Sequence, residues 1–169
     1  MGLIGAIWGI GGVLLLLTSA VWRLGPLALD SFSHDFSWYH WLSLALVIVL
    51  MAFAEGYRGF QQRFSPRVAA RARYLKEHPR PLFVVFGPFF CMGYFHATRR
   101  RKITSISLTL GIIALVVLVR LLPQPWRGII DAGVVTGLIW GVLSLIFFVF
   151  QAFTSDTFRH SPEVPVNTE

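Results

Sequence analysis

A single cysteine, Cys91, among 169 residues removes several explanations at once. One thiol closes no internal disulfide and supports neither an iron–sulfur cluster nor a thiolate zinc site. Charge is scarce as well. Asp, Glu, Lys and Arg make up 14% of the chain, against roughly a quarter in a soluble globular domain. Acidic residues are the rarer sign, eight against fifteen basic, which leaves a net charge of +7. No P-loop, dinucleotide fingerprint or HExxH motif occurs. Ser65 and Ser105 lack the base and orienting group that a hydrolytic triad needs. No complete catalytic set is left, and the enzyme question stays open with the balance against catalysis.

What the chain has instead is long uncharged apolar runs. Hydrophobic residues are 55% of the total, and a helix needs about 20 of them in succession to cross hydrocarbon. A soluble protein of this size has too little interior to cover several such runs. The runs predict an all-α polytopic membrane bundle of four transmembrane helices, at about 3–22, 38–55, 103–122 and 133–153. Gly25-Pro26 should end the first near Arg23 or Leu24. A cleaved signal peptide is the competing reading for that run, though its basic n-region is missing. Trp38, Tyr39 and Trp41 mark an interface at the start of the second span. Residues 154–169, polar and acidic, are expected to be a disordered tail.

Charge orients the bundle. The stretch Arg58–Lys102 holds eleven of the fifteen basic residues and one acidic residue, Glu77. By the positive-inside rule, segment 56–102 is cytoplasmic, and so are both chain ends. That is the arrangement of a multi-pass protein of a bacterial inner membrane. Within the segment, Ser65-Pro66 looks like a helix start. Val68, Ala72 and Leu75 then share a face, with Arg67, Arg71 and Arg73 largely away from it. Such a helix either lies on an anionic membrane surface or packs its stripe on the protein itself.

Residues 82–97 are apolar but short, and Gly87-Pro88 interrupts them. A straight helix of this length covers about 24 Å of a hydrocarbon core of about 30 Å. Crossing would also carry Arg99–Lys102 to the outer side. A re-entrant or interfacial element is therefore expected, with a fifth span as the alternative.

Candidate sites are few. Gly133, Gly137 and Gly141 form a four-residue-spaced groove, and Gly5, Gly9 and Gly12 a weaker one. Both suit close helix packing, within the chain or in a homo-oligomer. Glu55 and Arg58 stand at the expected cytoplasmic interface, three residues apart, where an α-helix would pair them. His96 adjoins Arg99 and Arg100. Glu55, Arg58, His96, Arg99 and Arg100 thus form a candidate contact for an anionic headgroup or substrate, or a structural anchor and stop signal. His34, Asp35 and His40 have no recognised zinc spacing, and neither a metal nor a cofactor is expected.

The expected surroundings are a phospholipid bilayer with anionic lipids and a second copy or another membrane protein. No nucleic-acid-binding motif accompanies the basic charge. A non-enzymatic structural, assembly or accessory component fits best. The alternatives are a small oligomeric transporter or channel, and a lipid-binding or lipid-modifying enzyme at the cytoplasmic interface.

Overall fold

The computed structural model describes residues 1–155 and 158–164, and these are all-helical, with no strand among them. In chain order the helices are α1 Gly2–Asp30, α2 Trp38–Met51, α3 Ser65–Glu77, α4 Pro81–Val85, α5 Gly87–Met92, α6 Arg99–Arg120 and α7 Trp126–Thr154. A π-helical segment, Ala52–Phe64, joins α2 to α3 without a break. Four helical stretches are long and apolar enough to cross a membrane: Gly2–Ser33, Trp38–Glu77, Arg99–Arg120 and Trp126–Thr154. Residues 82–97 do not form a fifth.

The first helix runs past its expected end. Pro26 lies inside α1, which continues to Asp30. Proline removes one N–H, the one that would reach the Trp22 carbonyl, little more than a turn before the helix stops. A loss so near the end does not stop the helix. At the start of α2, Ser37 and His40 form a capping box, with the Ser37 N–H donating to His40 Nδ1 at 3.2 Å. His40 is thereby committed to the helix start, where its ring also meets Trp126 edge-on.

The two glycine grooves are both filled from within the chain, by different partners. On α7, a Cβ at Gly133 would meet Val47 at 2.5 Å. One at Gly137 would meet Glu55 Cβ at 3.0 Å, and one at Gly141 the Phe60 ring at 2.7 Å. The α7 groove thus receives α2 and the π-helical segment. On α1, Gly5 faces Val84, Gly9 faces Cys91 and Gly87, and Gly12 faces Pro88. The α1 groove receives the broken apolar element.

Breaking a helix strands backbone carbonyls, which need partners wherever water is excluded. Side chains from three other helices supply them. Trp8 Nε1 donates to Val85 O at 3.2 Å, Arg71 Nε to Phe90 O at 2.6 Å and Ser105 Oγ to Met92 O at 3.2 Å. Gly93, at φ 85°, then turns the chain out of α5 in a conformation that suits glycine.

The core joins α1, α3, the broken element and α7 through Ile10, Val13, Val68, Ala72, Leu75, Phe83, Phe90, Cys91 and Leu145. The apolar stripe of α3 is therefore covered by protein, not left free to lie on a membrane. Val68, Ala72 and Leu75 are at most 1% exposed.

Candidate functional site

The basic helix α3 positions a heavily bonded side chain, Arg71. Arg71 projects between Val68 and Leu75 and is 2% exposed. The expectation that it points away from the stripe is wrong, because residue 71 falls three after Val68 and four before Leu75, on the same helical face. Its five N–H donors would be costly in a core unless used. Nε donates to Phe90 O at 2.6 Å, and Nη1 to Pro162 O at 2.8 Å. Nη2 donates to Phe95 O at 2.9 Å and to His96 O at 3.1 Å. The guanidinium also stacks 4.3 Å from the Phe90 ring centroid. Burial pushes its pKa down to about 10, so it stays charged at neutral pH.

Beside it, Cys91 is buried, and burial pushes its thiol up to about 12, with Arg71 acting in the opposite sense. A thiol so far from ionisation is a packing residue rather than a nucleophile. Arg73, two positions on, caps the end of α7, donating to Ala152 O at 3.3 Å and Ser155 O at 3.2 Å.

Residues 158–164 belong to the stretch expected to be a disordered tail, of which 156–157 and 165–169 lie outside the described residues. Residues 158–164 have irregular backbone and lie across the basic segment. Thr98 N–H donates to Glu163 O at 3.3 Å. The Glu163 carboxylate sits between two guanidinium groups, 3.9 Å from Arg67 Nη1 and 3.9 Å from Arg101 Nε. Arg101 is almost fully buried.

The residues singled out from sequence are dispersed. Glu55 and Arg58 are exposed on the π-helical segment, and no ion pair joins Glu55 to Arg58, Arg99 or Arg100 among the described residues. The expected pairing assumed α-helical spacing. Hydrogen bonding of the i→i+5 type widens each turn and rotates residue 58 away from residue 55. Arg99 and Arg100 are exposed in the first turn of α6.

His96 is the one member brought to the arginine cluster, through its carbonyl. Its ring packs tilted against Phe83, with the centroids 4.7 Å apart. Partial burial, then Arg80, Arg71 and Lys102, push its pKa below the usual histidine value. An imidazole that resists protonation in this way is poorly suited to donate a proton at neutral pH. Its φ of 46° is the left-handed conformation that aims its carbonyl at Arg71. His34, Asp35 and His40 do not gather, and no group of three or more potential metal ligands occurs among the described residues.

Comparison with protein-family models, curated proteins and solved structures gives no match. What the arrangement can do chemically must therefore be read from the cluster itself. Arg67, Arg71 and Arg101 converge on backbone carbonyls and one carboxylate. That is equipment for holding oxygen atoms by charge-assisted hydrogen bonds. Several hydroxyls on the long helices bond to backbone: Thr136 donates to Ala132 O at 2.9 Å and Ser144 to Gly141 O at 3.0 Å.

Proposed function

We propose that the protein is a non-enzymatic accessory or assembly component of a bacterial-type inner membrane, acting by helix–helix association. In this reading α1, α2, α6 and α7 cross the bilayer, the basic segment after α2 lies on the cytoplasmic side, and both chain ends are cytoplasmic. The broken element 82–97 enters and leaves on the cytoplasmic side, and the exposed arginines of the basic segment face anionic headgroups.

The observation that carries the reading is the state of α6. It is held near its N-terminal end by Arg101, by Ser105 and by a hydrogen bond between Thr109 and Tyr94. From Ile106 to Leu118 every residue except Thr109 is exposed. Of its most apolar stretch 11% is buried, against 28% for α1. Thr104, Ser107, Gly111 and Ala114 recur along it at helical spacing, all exposed, and nothing lies within 4 Å of where a Gly111 Cβ would be. Small residues permit close approach of helices in lipid, where the hydrophobic effect gives no help. The Gly5/Gly9/Gly12 and Gly133/Gly137/Gly141 grooves are filled internally, whereas the small-residue stripe of α6 is open.

Site-specific crosslinking tests this. With Cys91 replaced by alanine, Ser107→Cys or Gly111→Cys should crosslink in native membranes to a second copy or to one recurrent membrane protein. Ile113→Cys, exposed on the opposite side of the helix from Gly111, should not. A monomer that crosslinks to nothing from either stripe position would sink the accessory reading.

The topology has its own expected result. In the same cysteine-free background, Asp35→Cys and Pro123→Cys should react with an impermeant maleimide from outside intact cells. Gln62→Cys, Arg80→Cys and Arg100→Cys should react only in inverted vesicles. Labelling of positions 80 and 100 from opposite sides would require a fifth crossing segment.

A further inference from the structure

The carboxylate of Glu163 is a poor match for the arginines that hold it. At 3.9 Å from both Arg67 Nη1 and Arg101 Nε it lies beyond hydrogen-bonding range of either. It balances their charge and leaves their directional donors unused. Arg67 Nε is buried and has no hydrogen-bond partner. Arg63 and Arg71 add two more cations to the same neighbourhood, each acting on Arg67 or Arg101 or receiving their field. Four guanidinium groups thus face one carboxylate. Beside it opens a cavity of about 230 Å³ lined by Gln62, Arg63, Arg67, His160, Ser161 and Glu163.

We propose that Arg67 and Arg101 form a binding site for a phosphate group, and that Glu163 occupies this site as an internal stand-in which the ligand displaces. A phosphate brings more acceptor oxygens and more charge than a carboxylate, in the geometry that guanidinium forks recognise. The segment carrying Glu163 has few polar ties, with Val164 packed against the core and His160 edge-on to Phe148. Glu163 has φ 49°, a conformation unusual for a side-chain-bearing residue. Its backbone is tied by the Thr98 bond, and Pro162 by one bond from Arg71. When the segment lifts, Arg71 keeps its bonds to Phe90, Phe95 and His96, so the cluster of α3, α5 and the 93–98 turn stays assembled. The proposal rests on the reading that the basic segment faces anionic headgroups, and gives that contact a specific seat. A lipid headgroup and a soluble phosphorylated molecule both carry the group that the site recognises.

The test uses the full chain in nanodiscs. Its binding to fluorescent short-chain phosphatidic acid is measured in a phosphatidylcholine background, with inorganic phosphate as a soluble competitor. Glu163→Gln removes the competing charge and should tighten binding about tenfold, and Arg67→Gln should weaken it about tenfold. Arg67 is half-buried and Glu163 exposed enough that neither change should threaten folding. Competition by inorganic phosphate at comparable concentration assigns the site to soluble phosphate groups. Displacement by phosphatidic acid alone assigns it to a headgroup. Unchanged or weaker binding in Glu163→Gln overturns the proposal. If the parent and both variants prefer phosphatidic acid over phosphatidylcholine equally, the seat is wrong and the surface reading stands. If none shows a preference, both fall.

Discussion

Arg71→Leu is expected to destabilise the protein by about 3–5 kcal/mol, since it strips donors from several enclosed carbonyls at once and each orphaned acceptor costs about 1–3 kcal/mol. The carbonyls of Phe90, Phe95, His96 and Pro162 would lose their partner, and leucine supplies no donor. Arg71→Lys should recover only part of the loss. An ammonium keeps the charge but cannot span carbonyls that a planar fork reaches together. Cys91 provides the readout. It is the chain's single thiol, 1% exposed and with its pKa pushed up to about 12 by burial. In the parent protein it should resist maleimide from pH 7 to 9. In Arg71→Leu it should label readily, and the midpoint of thermal unfolding in detergent should fall. A variant with parental labelling and parental melting would show that the α3–α5 clamp contributes nothing.

Gly9→Leu should be nearly as damaging, by about 2–3 kcal/mol through overpacking. Its Cβ alone would stand 2.7 Å from Cys91 Sγ and 3.2 Å from the Gly87 carbonyl oxygen. Sulfur can shift a little, but the Gly87 backbone is held in turn, since a Cβ there would meet Gly9 Cα at 3.1 Å. The broken element must move as a unit or leave the groove. Gly11→Leu is the matched control, because nothing lies within 4 Å of a Cβ at that position. The comparison is read by Cys91 labelling and by protease sensitivity near Pro88. Equal behaviour of the two variants would mean that α1 and α5 are not seated as described.

The four long helices were legible in the sequence because uncharged apolar length is a local property. The break at Gly87-Pro88 was legible for the same reason. The boundaries were less so. Pro26 punctuates α1 on paper, yet one missing hydrogen bond near a helix end is too small a loss to stop it. The glycine grooves announced close packing, but spacing within one helix does not say which helix fills the gap. The candidate site was read least well. Charge density drew attention to Arg99 and Arg100, whose charge is exposed, while the arginines that converge are Arg67, Arg71 and Arg101. Arg71 had a local signal, its place between Val68 and Leu75. Arg101 had none that separated it from its neighbours. Glu163 reaches the cluster only through the tertiary path of the chain, and the polar composition around it predicted disorder. The Glu55–Arg58 pairing failed on helix type, which no short pattern in 52–64 reveals.

The seating of the broken element in α1 also imposes an order of events during synthesis. Gly5, Gly9 and Gly12 are made early, and the Val84–Cys91 stretch that fills their groove comes only after the whole of α2, the π-helical segment and α3. Until then the groove has no native occupant, and α1 exposes bare backbone along one side. The element that closes it owns no continuous helix and takes carbonyl partners from α1, α3 and α6. It has little means of holding its shape before those helices are present. Completion of this part of the fold therefore waits on Ser105, and a nascent chain stalled before α6 should display an open α1 flank to whatever surrounds it.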